Sequence, residues 1–248
     1  EWGVCRGAIP DTHRFESCSD VAVEGVGAAC DDGAAAVQLV DGESQVRGLR
    51  LASPISAGSG QIVVRARINA AASTSETTGY GWGVAVYNDG GEDFVGYTEG
   101  AGVSLVRQGY FMEWYSTHPG VDKPSFMAIR AVGGGSQTAA CLARCTFVDG
   151  PFFNAAVSES AVQELILTIS PDLPETPENE MAVGGYYVTS QGIFPTGLGC
   201  LGDGCQLSIR PGDSLWPGVT SATGRDYDAD LEVRGPDGFV VEVHGACP

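Results

Sequence analysis

Basic residues are scarce in this chain. Lys123 is the only lysine, and 13 Lys and Arg stand against 31 Asp and Glu, a formal net charge of −18. A phosphate backbone is held by clustered cations, so this balance excludes a nucleic-acid surface and disfavours anionic membranes. Long apolar runs are missing too. None approaches the roughly 20 residues of a helical membrane span, so membrane insertion is not expected. Histidine occurs only at His13, His118 and His244. There is no Ser/His/Asp order, no HExxH and no Gly-rich phosphate loop, which leaves hydrolase triads, metalloproteases and nucleotide enzymes without support. No stretch of ten residues carries an apolar stripe of period 3.6; EGVGAACDDGAAAVQ is Ala-rich but broken by Gly.

What the chain has instead is glycine, proline and short β-type runs. QIVVRARI (61–68), WGVAVY (82–87), SLVRQGYFMEW (104–114) and FMAIRAV (126–132) are β-branched or aromatic. ELILTI (164–169), GGYYVTS (184–190), the strictly alternating DYDADLEV (226–233) and GFVVEVH (238–244) continue the series. Turn clusters such as NDGGED, GGGS, PDLPETPENE and GPDG separate them. Thirty-six Gly and 13 Pro fit such a turn-rich pattern. Without a repeat or a clear linker, the expectation is one all-β domain over residues 1–248, an antiparallel β-sandwich or jelly roll.

Eight cysteines in a chain that begins at Glu1, without an initiator Met, suggest an exported, disulfide-bonded protein. Proximity favours Cys18–Cys30, Cys141–Cys145 and Cys200–Cys205, and leaves Cys5 with Cys247 to clasp the termini. Such a clasp closes nearly the whole chain and is worth about 4–5 kcal/mol in the loop-entropy picture. The rival reading of the close cysteine pairs is zinc, although both spacings are looser than the usual CxxC knuckle.

Two stretches, WGVAVYNDGGEDFVGYTEGAGVSLV and FMEWYSTHPGVDKPSFMAIR, together with PGVTSATGRDYDADLEV, resemble the L-type, legume-lectin-like family of concanavalin-like jelly rolls. The resemblance covers about residues 48–244 and rests on a Gly-aromatic strand, an acidic strand with its loop, and a Ser-Ala-Thr-Gly phrase at Ser221 to Gly224. It implies a carbohydrate-binding module and, in the acidic strand, ligands for a metal pair. Glu113 matches the family's strand Glu and Asp122 its loop Asp. Tyr115 stands where the second strand Asp belongs, and Tyr80 replaces the sugar-contacting Asp before Gly81. A pair of hard cations needs several oxygen ligands each, so these departures remove the usual metal-dependent site. Sugars would have to bind differently.

The residues themselves leave three readings of Glu113: a ligand contact, a structural acid, or half of a glycosidase pair, which requires a second carboxylate from another strand. Tyr80, Trp82, Trp114 and Tyr115 are the neighbouring aromatics able to stack on a sugar. Asp226, Asp228 and Asp230 are spaced D-x-D-x-D on one face with Glu232. They form either a solvated strand face or calcium ligands, and Leu231 denies them the Gly of an EF-hand turn. The expected protein is a secreted or cell-surface binding module for carbohydrate recognition or adhesion, not an enzyme. Its partner is a glycan or an extracellular protein, and its one candidate cation is calcium. The alternatives are a structural subunit that self-assembles at a surface or in an appendage, and a jelly-roll glycoside hydrolase.

Overall fold

The computed structural model describes residues 10–24, 28–32, 36–39, 46–58, 60–67, 69–70, 81–87, 96–97, 103–104, 109–115, 126–132, 140–141, 163–171, 181–189, 192–199, 212–222 and 231–245. Within them the chain runs through β1 (Asp11–Arg14), β2 (Val21–Glu24), β3 (Ala28–Asp31), β4 (Ala36–Leu39), β5 (Val46–Leu51), β6 (Ile55–Ser56) and β7 (Ile62–Ala66). There follow β8 (Asn69–Ala70), β9 (Gly81–Tyr87), β10 (Gly96–Tyr97), β11 (Val103–Ser104), β12 (Gly109–Tyr115), β13 (Phe126–Val132) and β14 (Ala140–Cys141). The last strands are β15 (Glu164–Pro171), β16 (Met181–Thr189), β17 (Gly192–Gly199), β18 (Ser214–Ala222), β19 (Leu231–Arg234) and β20 (Phe239–Val243). Among the described residues the only helical element is a 3₁₀ turn at Cys18–Asp20.

Among the described residues all pairings are antiparallel, as the all-β expectation required. A six-stranded sheet has the order β1-β20-β7-β15-β16-β17. An eight-stranded sheet has the order β14-β13-β12-β9-β18-β5-β2, with β6 beside β18, and β3-β4-β19-β8 form a third sheet. Strand alternation explains how the two large sheets close on each other. Ile62, Val64 and Ala66 line up with Leu165, Leu167 and Ile169 and with Phe239 and Val241, and all are 0% exposed. The other sheet offers Leu49, Val84, Val86 and Val219, also 0% exposed. β9 and β18 lie against β7, β15 and β20. Removing each of the Val, Leu, Ile and Phe side chains from water contributes about 1.5–3 kcal/mol before entropy is counted.

Prolines mark where pairing is dispensable. Pro217 lies inside β18, yet on one side β6 pairs only with Ser214 and Leu215 and β5 only with Gly218 to Ala222. The gap between those two partners falls at Pro217, where a missing N–H costs no bond on that side. Pro195 lies in β17, the edge of the six-stranded sheet, next to a register shift at Gly185/Tyr186. Both features discourage further strand addition at this edge.

The N-terminal corner is fixed by the expected Cys18–Cys30 disulfide. Beside it, the Asp20 carboxylate accepts bonds from the backbone N–H of Ser17 and Glu16 and from the Ser17 hydroxyl. The Ser17 N–H bond is the main reason the Asp20 carboxyl titrates below its ordinary value. A folded-state pKa that is depressed stabilises the fold above the unfolded value and loses that contribution as pH falls. Asp20→Asn should therefore lower the melting temperature more at pH 6 than at pH 3; an equal deficit at both would contradict this account.

On the outer side of the six-stranded sheet, Glu164 is 3% exposed. Its two oxygens accept bonds from Arg65 Nε at 2.6 Å and Arg67 Nε at 3.1 Å. The bond to Glu164 holds Arg65 more firmly protonated, outweighing burial, which works against the charge. Removing a buried partner leaves its mates uncompensated. Because the Arg65 and Arg67 side chains are 37% and 54% exposed, the cost of Glu164→Ala should be moderated to about 2–3 kcal/mol. Glu164→Gln, which keeps one acceptor, should lose roughly half of that. Urea unfolding reads both, and an Ala variant with the wild-type midpoint would refute the clamp.

Candidate functional site

The register of the eight-stranded sheet brings four chain segments to one end. Val46, Ala222, Gly81, Tyr115 and Phe126 stand opposite one another in a single cross-strand row. At this row the chain leaves β12 after Tyr115 and returns at Phe126, with Asp122 in the residues between. Tyr80 directly precedes Gly81, and Asp226, Asp228 and Asp230 follow Ala222 by four to eight positions. Those five residues lie outside the described residues, as do His118 and NDGGED. What the sheet fixes is that the segments carrying Tyr80, His118, Asp122 and the 226–230 acids depart from the same end, whereas NDGGED follows Tyr87 at the opposite end of β9.

One row further in, Glu113 stands opposite Gly83 on β9 and Ala128 on β13, and Gly83 in turn opposite Thr220. Because successive positions alternate sides, position 113 shares a side with positions 83, 85, 218 and 220. Positions 84, 219 and 49 line the inter-sheet core on the other side. Glu113 is therefore not a position of that core. Gly83, Ala85 and Gly218 on its side are nevertheless buried, so this face is covered at the middle of β9.

Alternation also separates the aromatics that the sequence grouped together. Positions 82 and 114 stand opposite each other on the side of Val84, whereas positions 113 and 115 fall on the other. Position 113 is ringed by Gly81, Gly83, Ala85, Phe126, Ala128 and Arg130 on the flanking strands and by Phe111 and Tyr115 on its own. None of these is acidic. The β9 positions beside Glu113 (Gly81, Gly83, Ala85) and Ala128 are small, whereas Phe126, Arg130, Phe111 and Tyr115 are large. Thr220 and Arg130 are polar members of this face that sequence reasoning passed over. Thr220 sits one residue before the Ser-Ala-Thr-Gly phrase, and only the pairing with Gly83 marks it.

Of the expected metal ligands, Glu113 alone falls in a described strand. Among the described residues no group of three His, Cys, Asp or Glu is placed to hold a metal ion. Of the other cysteines, Cys141 lies in β14 opposite Arg130; Cys5, Cys145, Cys200, Cys205 and Cys247 lie outside the described residues. The strand expected over 226–233 is described from Leu231 onward.

No family model and no curated protein matches this chain. Solved structures do. A lectin from Bauhinia forficata in complex with GalNAc is 11% identical, with a TM-score of 0.55 over 96% of this chain and 99% of that one. The potassium-bound Emp46p carbohydrate recognition domain is also 11% identical, with a TM-score of 0.53 over 92% and 89%. The Ca2+-bound exoplasmic/lumenal domain of VIP36 is 10% identical, with a TM-score of 0.52 over 94% and 90%. Identities this low speak for the fold alone, and the fold is the L-type, legume-lectin-like β-sandwich that the acidic-strand motifs implied.

Proposed function

We propose that this chain is a non-catalytic carbohydrate-binding module working in recognition or adhesion, on the cell surface or in an exported setting. The observation that carries the reading is the convergence at one end of the eight-stranded sheet. Glu113 and Tyr115 stand on one side of β12, and the segments bearing Tyr80, Asp122 and Asp226 to Asp230 leave from the row beside them. Glu113 provides the charged acceptor for sugar hydroxyls and Tyr115 the aromatic surface, a combination suited to a ligand with alternating polar and apolar faces. Trp82 and Trp114, on the opposite side in the register, back this row rather than contact the ligand.

Binding is favoured over glycosidic cleavage because cleavage needs two carboxylates about 5–10 Å apart, and the described sheet positions around Glu113 supply only one. The similar structures support the same reading: the Bauhinia forficata lectin is in complex with GalNAc, and the VIP36 domain in a Ca2+/Man3GlcNAc-bound form. Calcium is the cation that Asp122 and the 226–230 acids would take, as oxygen ligands for a hard ion. With Tyr115 in place of the second strand carboxylate, sugar binding should not depend on it.

A glycan array with calcium and with chelator tests this. The expected result is binding to a subset of glycans in both conditions. Loss of binding in chelator alone would give calcium a direct part while leaving the sugar reading intact. Silence in both would overturn it and favour the structural-subunit alternative.

A further inference from the structure

We draw no further inference here: the strongest candidate, the uncharged strip of Ile166, Tyr186, Val188 and the 64%-exposed Ile193 across the outer face of the six-stranded sheet, is an unpartnered sheet face, and nothing in the structure shows what covers it.

Discussion

Gly60→Ala should destabilise the protein by about 3–4 kcal/mol in total, of which about 2–3 kcal/mol, the upper part of the range for forcing atoms into packed structure, is overpacking. A Cβ built on Gly60 would lie 1.7 Å from the His244 carbonyl oxygen, 2.6 Å from its carbon and 2.7 Å from the Gly245 carbonyl carbon. All three are backbone atoms, so no side chain can swing aside. Relief requires the chain after β20 to move away from the start of β7, which breaks the 2.8 Å bond from His244 N–H to the Gln61 carbonyl. That lost bond adds about 1 kcal/mol. β20 lies between β1 and β7 in the six-stranded sheet, so the disturbance enters between two paired strands rather than at a free edge. At this chain length the loss corresponds to a drop in melting temperature of roughly 10 °C. Gly58→Ala is the matched control, because its Cβ would meet only Gly60 N, at 3.9 Å. Thermal melts followed by circular dichroism should separate the two variants clearly. If Gly60→Ala melted with Gly58→Ala, the close approach would be wrong.

The role of Gly60 could not have been read from the sequence. Nothing in SAGSGQIV distinguishes one glycine from the next, because the constraint comes from a segment more than 180 residues away. The same division runs through the fold. ELILTI, FMAIRAV, WGVAVY and GFVVEVH were legible because their alternation or β-branched density is local, and each lies within or matches an observed strand. GIFPTGLG, with three glycines and a proline, is absent from the expected strands, yet it is β17 because an edge strand tolerates what a central one does not. Pro217 would argue against a central strand, and β18 is central. It survives because two different strands, β5 and β6, share that flank and leave a gap between them. The N-terminal strands β1 to β4 carry too few β-branched residues to announce themselves. β1 pairs with β20 and β2 with β5, contacts that link opposite ends of the chain or different hairpins. Local pattern reports which residues can be strands, whereas sheet order depends on partners that pattern does not name.

The candidate site shows the same limit. The spacing of Glu113 and Tyr115 on one side of a strand follows from period-2 geometry alone. That Gly83, Thr220 and Ala128 surround Glu113 with little bulk depends on register with three other strands. The sequence groups Trp82 and Trp114 with Glu113 as aromatics able to stack on a sugar, although strand alternation already sets Trp114 apart from Glu113. The pleat assigns them to the opposite side.

Glu113→Gln tests whether that carboxylate is the ligand's acceptor or only a structural acid. A hydrogen bond to a charged group is worth about 1.5–3 kcal/mol, so the variant should bind its best array glycan roughly 10- to 100-fold more weakly. The amide keeps the shape of the side chain, and the neighbours at 83, 128 and 220 on that side are small. Stability should therefore change little, within about 1 kcal/mol by urea unfolding. A structural acid predicts the reverse: a clear loss of stability, with glycan affinity preserved in whatever fraction remains folded. Isothermal titration of the folded variant, alongside its unfolding midpoint, distinguishes the two. Tyr115→Ala serves as the second probe on the same row. If Tyr115 supplies the stacking surface, its removal should weaken binding by about 1–2 kcal/mol, or 5- to 30-fold, without depending on the charge at position 113. Unchanged affinity in both variants would remove this end of the eight-stranded sheet from the binding site, even if the protein proved to bind sugars elsewhere.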